Sequence, residues 1–340
     1  MSTSTIARRA ASVQPLISLD IKALENRDLV SIADLEPSEV VTILELAGWV
    51  KARPAEFRTA LSGRQMAMFF EKPSLRTRLT FEAGMAGLGG TSIFVDQTAA
   101  PLAAREPLSD IAHNLERWVD VLVLRTFEHA TITGMAEHAM IPVINALSEA
   151  EHPCQALADF FTLQEKFGDL RSVRLAYVGD GNNVAHSLLL TAACLGSRIT
   201  IACPAGYEPK PGIVGRALVI AARTGATIEI TNDPMAAVAG ADAVYTDVWA
   251  SMGQEHESEQ RRVIFAPYQV NEPLMAAAAP DALFMHCLPA HRGEEVTAAV
   301  MDSPPSIVFD QAENRLHVQK AILLLLLGGA RRFSARSAHA

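Results

Sequence analysis

Residues 174–202 read RLAYVGDGNNVAHSLLLTAACLGSRITIA. An apolar run over 174–178 ends in Gly179-Asp180-Gly181-Asn182. Apolar residues then recur at helical spacing over 183–195, Gly196 stops them, and a second β-branched run follows over 199–202. Strand, glycine-rich turn, helix and strand in this order make a βαβ unit, which requires a parallel pair with its crossover helix on one face. The alternation continues toward the C-terminus with a helix over 214–223, a strand over 227–230, a short helix over 235–238, and strands over 243–246 and 283–285.

A helix over 155–167 separates this series from an earlier one of the same kind. There a strand over 65–70 leads into a helix opened by Pro73-Ser74 and running through Leu88, and Gly89-Gly90 ends it before a strand over 91–95. A helix over 111–119, a strand over 121–124, a helix over 134–138 and a strand end at Val143-Ile144 follow. Upstream, Val40, Ile43, Leu44 and Leu46 mark one face of an amphipathic helix over 36–51, and 319–327 is a closing apolar helix. The expectation is an α/β chain of two doubly wound parallel-sheet domains joined by interdomain helices. The first domain spans 20–155, the second 156–318, and a C-terminal helix over 319–335 packs back on the first. Residues 1–19 form a flexible N-terminal extension.

Composition agrees with two domains: 340 residues exceed the usual size of one, and 49% hydrophobic with 20% charged residues is near the globular average. The 29 Lys and Arg against 38 Asp and Glu give a net charge of −9, which excludes the basic footprint of a nucleic-acid binder. No apolar run approaches the roughly 18 residues of a membrane span, the densest (321–327) stopping at Gly328. The cysteines, Cys154, Cys194, Cys203 and Cys287, form no C-x-x-C pair, so neither a disulfide framework nor a zinc knuckle is indicated, and a reducing compartment is expected. The acid-free start with Arg8 and Arg9 has the flavour of a transit peptide. Its shortness favours a plain basic extension and a cytoplasmic protein.

Four polar constellations fall where such sheets bind ligands. Ser74-Leu75-Arg76-Thr77-Arg78 opens a helix directly after a strand. Helix N-terminal amides, two hydroxyls and a forked guanidinium suit an oxyanion, although a capped helix with solvated arginines reads the same segment. The turn 178–185 has glycine spacing reminiscent of a dinucleotide fingerprint. The third glycine is replaced by Ala185, and the next strand ends Ile201-Ala202-Cys203-Pro204 without the ribose-binding acid. A nicotinamide dehydrogenase is therefore disfavoured, and the turn is expected to offer Asn182 or Asn183 to a small polar ligand. Asp247, in DVWASMGQE, stands at a strand end where a carboxylate can meet a ligand, or merely begins a loop that buries Trp249. In MHCLPAHRG, Cys287 reads as a buried small hydrophobe or a site residue, and His286 with His291 makes poor evidence for metal. His152-Pro153-Cys154-Gln155 at the domain junction and Arg315 complete the set.

Together these segments resemble the aspartate/ornithine carbamoyltransferase family over nearly the whole chain, from about residue 20 to 327. Phe70-Glu71-Lys72-Pro73-Ser74-Leu75-Arg76-Thr77-Arg78 is similar to the family's carbamoyl-phosphate signature, and Arg125-Thr126-Phe127 and His152-Pro153-Cys154-Gln155 match shared positions. Asp247 to Gly253 and His286-Cys287-Leu288-Pro289 are similar to signatures of the ornithine-using members. The resemblance implies carbamoyl transfer to the δ-amine of L-ornithine, giving L-citrulline and phosphate. An acylated ornithine or another amine is the alternative substrate, and a catalytically silent scaffold is the rival class. It implies carbamoyl phosphate on Ser74, Leu75, Arg76, Thr77, Arg125, His152, Gln155, Cys287, Leu288 and Arg315, and ornithine on Asn183, Asp247, Ser251 and Met252. Cys287, Asp247, Arg125 and His152 would carry catalysis without metal or organic cofactor, in a homotrimer or multiple of trimers serving arginine metabolism. One departure stands out. Relatives place a Gln, then Leu-Gly-basic-Gly-Glu, on a loop reaching the neighbouring subunit, whereas 101–106 here reads PLAARE, leaving Arg105 as the replacement.

Overall fold

In the computed structural model, residues 22–98, 102, 104–250, 253 and 257–331 are described, and all pairing between named strands is parallel. The first sheet is built from β1 (Gln65–Phe70), β2 (Thr91–Asp96), β3 (Val121–Arg125) and β4 (Val143–Leu147), in the order β2-β1-β3-β4. Helices α1 (Pro37–Ala52), α2 (Leu75–Gly87), α3 (Leu108–Leu115) and α4 (His129–His138) accompany it. The second sheet has β5 (Arg174–Val178), β6 (Arg198–Ala202), β7 (Thr227–Thr231), β8 (Ala243–Thr246) and β9 (Leu283–His286), in the order β7-β6-β5-β8-β9. Its helices are α6 (Asn183–Leu195), α7 (Pro211–Thr224), α8 (Pro234–Val238), α9 (Ser258–Phe265), α10 (Glu272–Ala276) and α11 (Ala298–Met301). Helix α5 (Pro153–Phe167) leads from the first sheet to the second, and α12 (Val308–Leu326) returns.

Each strand order reverses at one point: between β1 and β3 in the first sheet, and between β5 and β8 in the second. Connections leave such a point in opposite directions and open a crevice at the carboxyl ends of the strands. The segments singled out from the sequence lie there. Residues 71–77 follow β1 and Arg125 ends β3, while 179–183 follow β5 and Asp247 follows β8.

Helices α5 and α6 are buried all round, Pro153 to Leu163 and Val184 to Leu195 being buried without interruption. A helix with no solvated face must lie between layers, and these two pack on each other, with α1 and α12 also against α5. One apolar core consequently runs from Leu29, Ile43 and Phe57 through Phe160 to Leu188 and Ile201. Among the described residues no helix is long and apolar enough to cross a membrane.

The closing helix differs from expectation. It begins at Val308 rather than 319, and ends at Leu326 before Gly328 turns at φ +68°. Its first half was unreadable as a helix because its inward face is polar: Gln311, Asn314 and Arg315 are buried and hydrogen-bonded, so no apolar stripe marks the period. Helix α3 is likewise earlier (Leu108–Leu115) and α4 longer (His129–His138) than their apolar residues indicate. Residues 1–19 and 332–335 of the expected terminal segments lie outside the described residues.

Candidate active site

The strand-to-helix passage after β1 is built for an anion. Ser74 caps α2, its hydroxyl oxygen accepting from the Thr77 amide at 3.2 Å, so the first-turn amides and the positive end of the helix dipole face the crevice. Leu75 is 71% exposed, which leaves its backbone rather than its side chain for a ligand. Arg76 is half-buried and Thr77 fully buried.

Arg125 follows Val121 and Val123 in the alternation of β3, and a β-bulge in β4 stands opposite it: the two strands keep register to Leu124↔Asn145, then skip to Arg125↔Leu147. Arg125 Nε donates to the Lys72 carbonyl at 3.1 Å, and Lys72 lies 4.5 Å from the Phe127 ring centroid. Glu71 fixes the same corner by accepting from the Phe127 amide at 2.9 Å. From the far side, α12 brings Arg315, whose guanidinium donates to the Thr77 hydroxyl at 2.8 Å. Three guanidiniums thus converge. Burial, then the like charges of Arg315 and Arg76, push Arg125 down to about 9; Arg315 and Arg76 are lowered too, first by burial. Burying like charges together is unfavourable by several kcal/mol unless an anion joins them, on the order-of-magnitude desolvation cost of a buried ion.

The first turn of α5 supplies neutral polar atoms. Burial, with Arg315 and Arg125 alongside, holds His152 far below the ordinary imidazole range, so it is uncharged. Gln155 donates to Asp159 at 2.8 Å, and Asp159 also accepts from Gln311 (2.9 Å) and Tyr245 (3.0 Å). Despite this network, three buried atoms have no partner: His152 Nδ1, Gln155 Oε1 and Arg315 Nε. Buried polar atoms are seldom left unmatched, and a set holding both an acceptor and a cationic donor fits a ligand that offers both kinds of group.

Across the crevice, Cys287 follows β9 and donates from Sγ to Asp247 Oδ1 at 2.9 Å, while Asp247 Oδ2 accepts from Asn182 at 2.8 Å. Desolvation and the Asp247 carboxylate keep the thiol protonated, well above its usual value. Loop 286–291 is held by His286, whose Nδ1 accepts from the Leu288 amide (2.8 Å) while Nε2 donates to buried Glu295 (3.1 Å). Leu288 sits at φ +60°, a left-handed conformation imposed on a branched residue by this framework. Asp247, His286 and Cys287 bring ligand atoms within 4.8 Å of one another, but both His286 nitrogens are already engaged.

Asn182 and Asn183 do not both face a ligand. Asn182 caps α6, accepting from Val184 and Ala185, and Asn183 donates to the Ser148 carbonyl at 2.6 Å. Gly181 is required by its own surroundings, since a Cβ there would lie 2.3 Å from the Pro209 nitrogen. The glycine pattern that resembled a dinucleotide turn is therefore a packing requirement. Arg105 is exposed and Ser251 and Met252 lie outside the described residues. Asp159 and Glu295 escaped the sequence reading, and Glu71 and Lys72 were quoted in a motif without a role; the signals for the first two were a Gln155–Asp159 pair one helical turn apart and a second acid beside Glu294.

Two switch-point crevices, one lined by arginines and the other carrying a carboxylate and a thiol, describe an enzyme that transfers a group between two substrates held on separate sheets. Residues 27–165 match the model of the aspartate/ornithine carbamoyltransferase carbamoyl-P binding domain, and 171–326 that of the Asp/Orn binding domain. The chain belongs to the aspartate/ornithine carbamoyltransferase family. It is 53% identical over 306 residues to the ornithine carbamoyltransferase of Symbiobacterium thermophilum, covering 89% of this chain and 99% of that protein. With the anabolic ornithine carbamoyltransferase of Pyrococcus furiosus identity is 49% over 311 residues, covering 91% and 99%. The solved structure of ornithine carbamoyltransferase from Pyrococcus furiosus superposes with a TM-score of 0.87, covering 90% of this chain and 98% of that one.

Proposed function

We propose that the chain transfers the carbamoyl group of carbamoyl phosphate to the δ-amine of L-ornithine, yielding L-citrulline and phosphate in arginine biosynthesis. The observation that carries this reading is the trio of unmatched buried atoms, Gln155 Oε1, Arg315 Nε and His152 Nδ1, beside three mutually repelling guanidiniums. Carbamoyl phosphate, a mixed anhydride, has an amide to donate, a carbonyl to accept, and a phosphate to neutralise the arginines.

In this reading Ser74, Leu75, Arg76 and Thr77 cradle the phosphate. Arg125, His152 and Gln155 hold the carbamoyl group, and Cys287, Leu288 and Arg315 complete the enclosure. Attack by the amine converts the carbonyl oxygen to an oxyanion, which Arg125 and neutral His152 stabilise from fixed positions, the largest electrostatic contribution in acyl-type transfers. Arg76 and Arg315 take the charge of the leaving phosphate. An alkyl amine has a pKa of about 10.4, so its free base at neutrality costs roughly 4.6 kcal/mol. Asp247 supplies the carboxylate that receives or orients the ammonium, and the Cys287 thiol orients it without acting as base. Asn183, Ser251 and Met252 complete the ornithine site.

In this reading the domain limits are 20–155 and 156–318, one crevice in each, and the closing helix packs back on the first domain through α1 and α2. Leu75 and Leu79, one turn apart on α2 and 71% and 53% exposed, suit contact between copies in a cytoplasmic homotrimer. A colorimetric citrulline assay with carbamoyl phosphate and a panel of amines, including N-acetylornithine, putrescine and aspartate, tests the reading. Product from ornithine alone is expected; preference for an acylated amine overturns the substrate assignment.

A further inference from the structure

Segment 148–152, between β4 and α5, meets one face of α6. Asn183 donates to the Ser148 carbonyl at 2.6 Å, and His186 Nδ1 bonds the Ala150 carbonyl at 2.7 Å. The backbone amide of His152 donates to the Ser187 hydroxyl at 2.9 Å. Residues 183, 186 and 187 have i, i+3, i+4 spacing, so all three bonds leave the same side of the helix. His186 Nε2 accepts from the Lys210 amide at 2.9 Å, which makes Nδ1 the protonated nitrogen.

The Ser187 hydroxyl, having accepted from His152, donates in turn to Glu151 Oε2 at 3.2 Å. The same carboxylate accepts from the Ile32 amide at 3.1 Å and from the Ser31 hydroxyl. Glu151 is 1% exposed, its bonded partners are all neutral donors, and the charged group that perturbs it is another acid, Asp34. A buried carboxylate in this setting is unfavourable on its own, and apolar or amide side chains would fill the space with less desolvation. Its retention has to be explained by geometry. It is the acceptor on which Ser31 and Ile32, just ahead of α1, and Ser187 of the second sheet's first helix converge, and Ser187 in turn holds the His152 amide.

We infer that Glu151, acting through Ser187, is a positioning residue that sets the backbone of His152 relative to helix α6 and thereby aligns the carbamoyl-holding group with the second substrate's crevice. The inference rests on the carbamoyl-transfer reading. Glu151 touches no reacting atom, and its effect belongs to the chemical step, because a shift of the His152 backbone displaces an oxyanion donor while leaving the ornithine-facing residues in place.

The experiment measures steady-state citrulline formation by Ser187→Ala, Glu151→Gln and the double variant, with thermal melting of each. Expected is a fall in kcat of about tenfold in each single variant with the KM for ornithine within twofold of the parent, and a double variant no slower than the slower single, as for two residues of one chain of bonds. Kcat within twofold of the parent in folded Ser187→Ala, or losses that multiply in the double variant, overturns it. Ser187→Ala removes a single hydroxyl and decides the matter alone if Glu151→Gln yields no folded protein. A parent chain that makes no ureido product from carbamoyl phosphate and any amine of the panel refutes the carbamoyl-transfer reading instead, so the two failures are distinguishable.

Discussion

Cys287 donates a hydrogen bond to Asp247, and that bond determines how the site responds to pH. A thiol beside a carboxylate in desolvated surroundings stays protonated at neutrality, and the other cysteines, Cys154, Cys194 and Cys203, are pushed by burial to about 12. Alkylation of the native chain by iodoacetamide is therefore expected to be slow at pH 8 and still rising beyond pH 9. A rate that levels off near the ordinary thiol value of about 8.5 contradicts the arrangement. Arg76→Ala removes the cation next to the α2 amides, and a loss of at least about a hundredfold in carbamoyl phosphate affinity by calorimetry is expected from a charge-assisted pair worth roughly 3 kcal/mol. Asp159 gives a third outcome. Burial raises it to about 6, so between roughly pH 4 and 6 the folded chain keeps a proton that the unfolded chain has released. Its contribution makes stability decline as pH rises through that window. Asp159→Asn should flatten that part of a urea-denaturation series and, by loosening Gln155, raise the KM for carbamoyl phosphate about tenfold. An unchanged slope counts against the assignment.

At the scale of elements, what the sequence disclosed depended on whether a segment's buried face is apolar. Strands β1, β3, β5 and β8 and helices α5 and α6 were legible because their inward faces are hydrocarbon and their ends carry Gly, Pro or Asn. The first half of α12 was hidden because Gln311, Asn314 and Arg315 satisfy one another's neighbours instead of packing as a stripe. The site shows the same division. Motif residues at strand ends were found, whereas Asp159 and Glu295, which touch the site only through Gln155 and His286, carry no local pattern that separates them from ordinary helix or turn acids. The bulge in β4 opposite Arg125 was invisible for a similar reason, since it lies in a register between strands. Deleting Ala146 removes the extra residue of β4 and should abolish carbamoyl transfer while leaving the parallel sheet's circular dichroism largely intact. Full activity in that variant would show that the bulge does not set the segment leading from β4 to His152.

For the whole molecule, the two crevices face each other because α5 and α12 pack together and tie one sheet to the other. If Arg105 of one copy completes a neighbour's phosphate cradle, then subunits inactivated by Arg105→Ala and by Arg76→Ala should regain part of their activity when unfolded and reassembled together. No recovery argues for sites contained within single chains. Helix α12 has a further consequence. Leu323, Leu324 and Leu325, near the end of the chain, occupy the same core as Leu29, Ile43 and Met68 near its beginning. During synthesis the N-terminal half therefore emerges from the ribosome with part of its interior still untranslated, and it must wait, incompletely packed, until the last helix clears the exit tunnel.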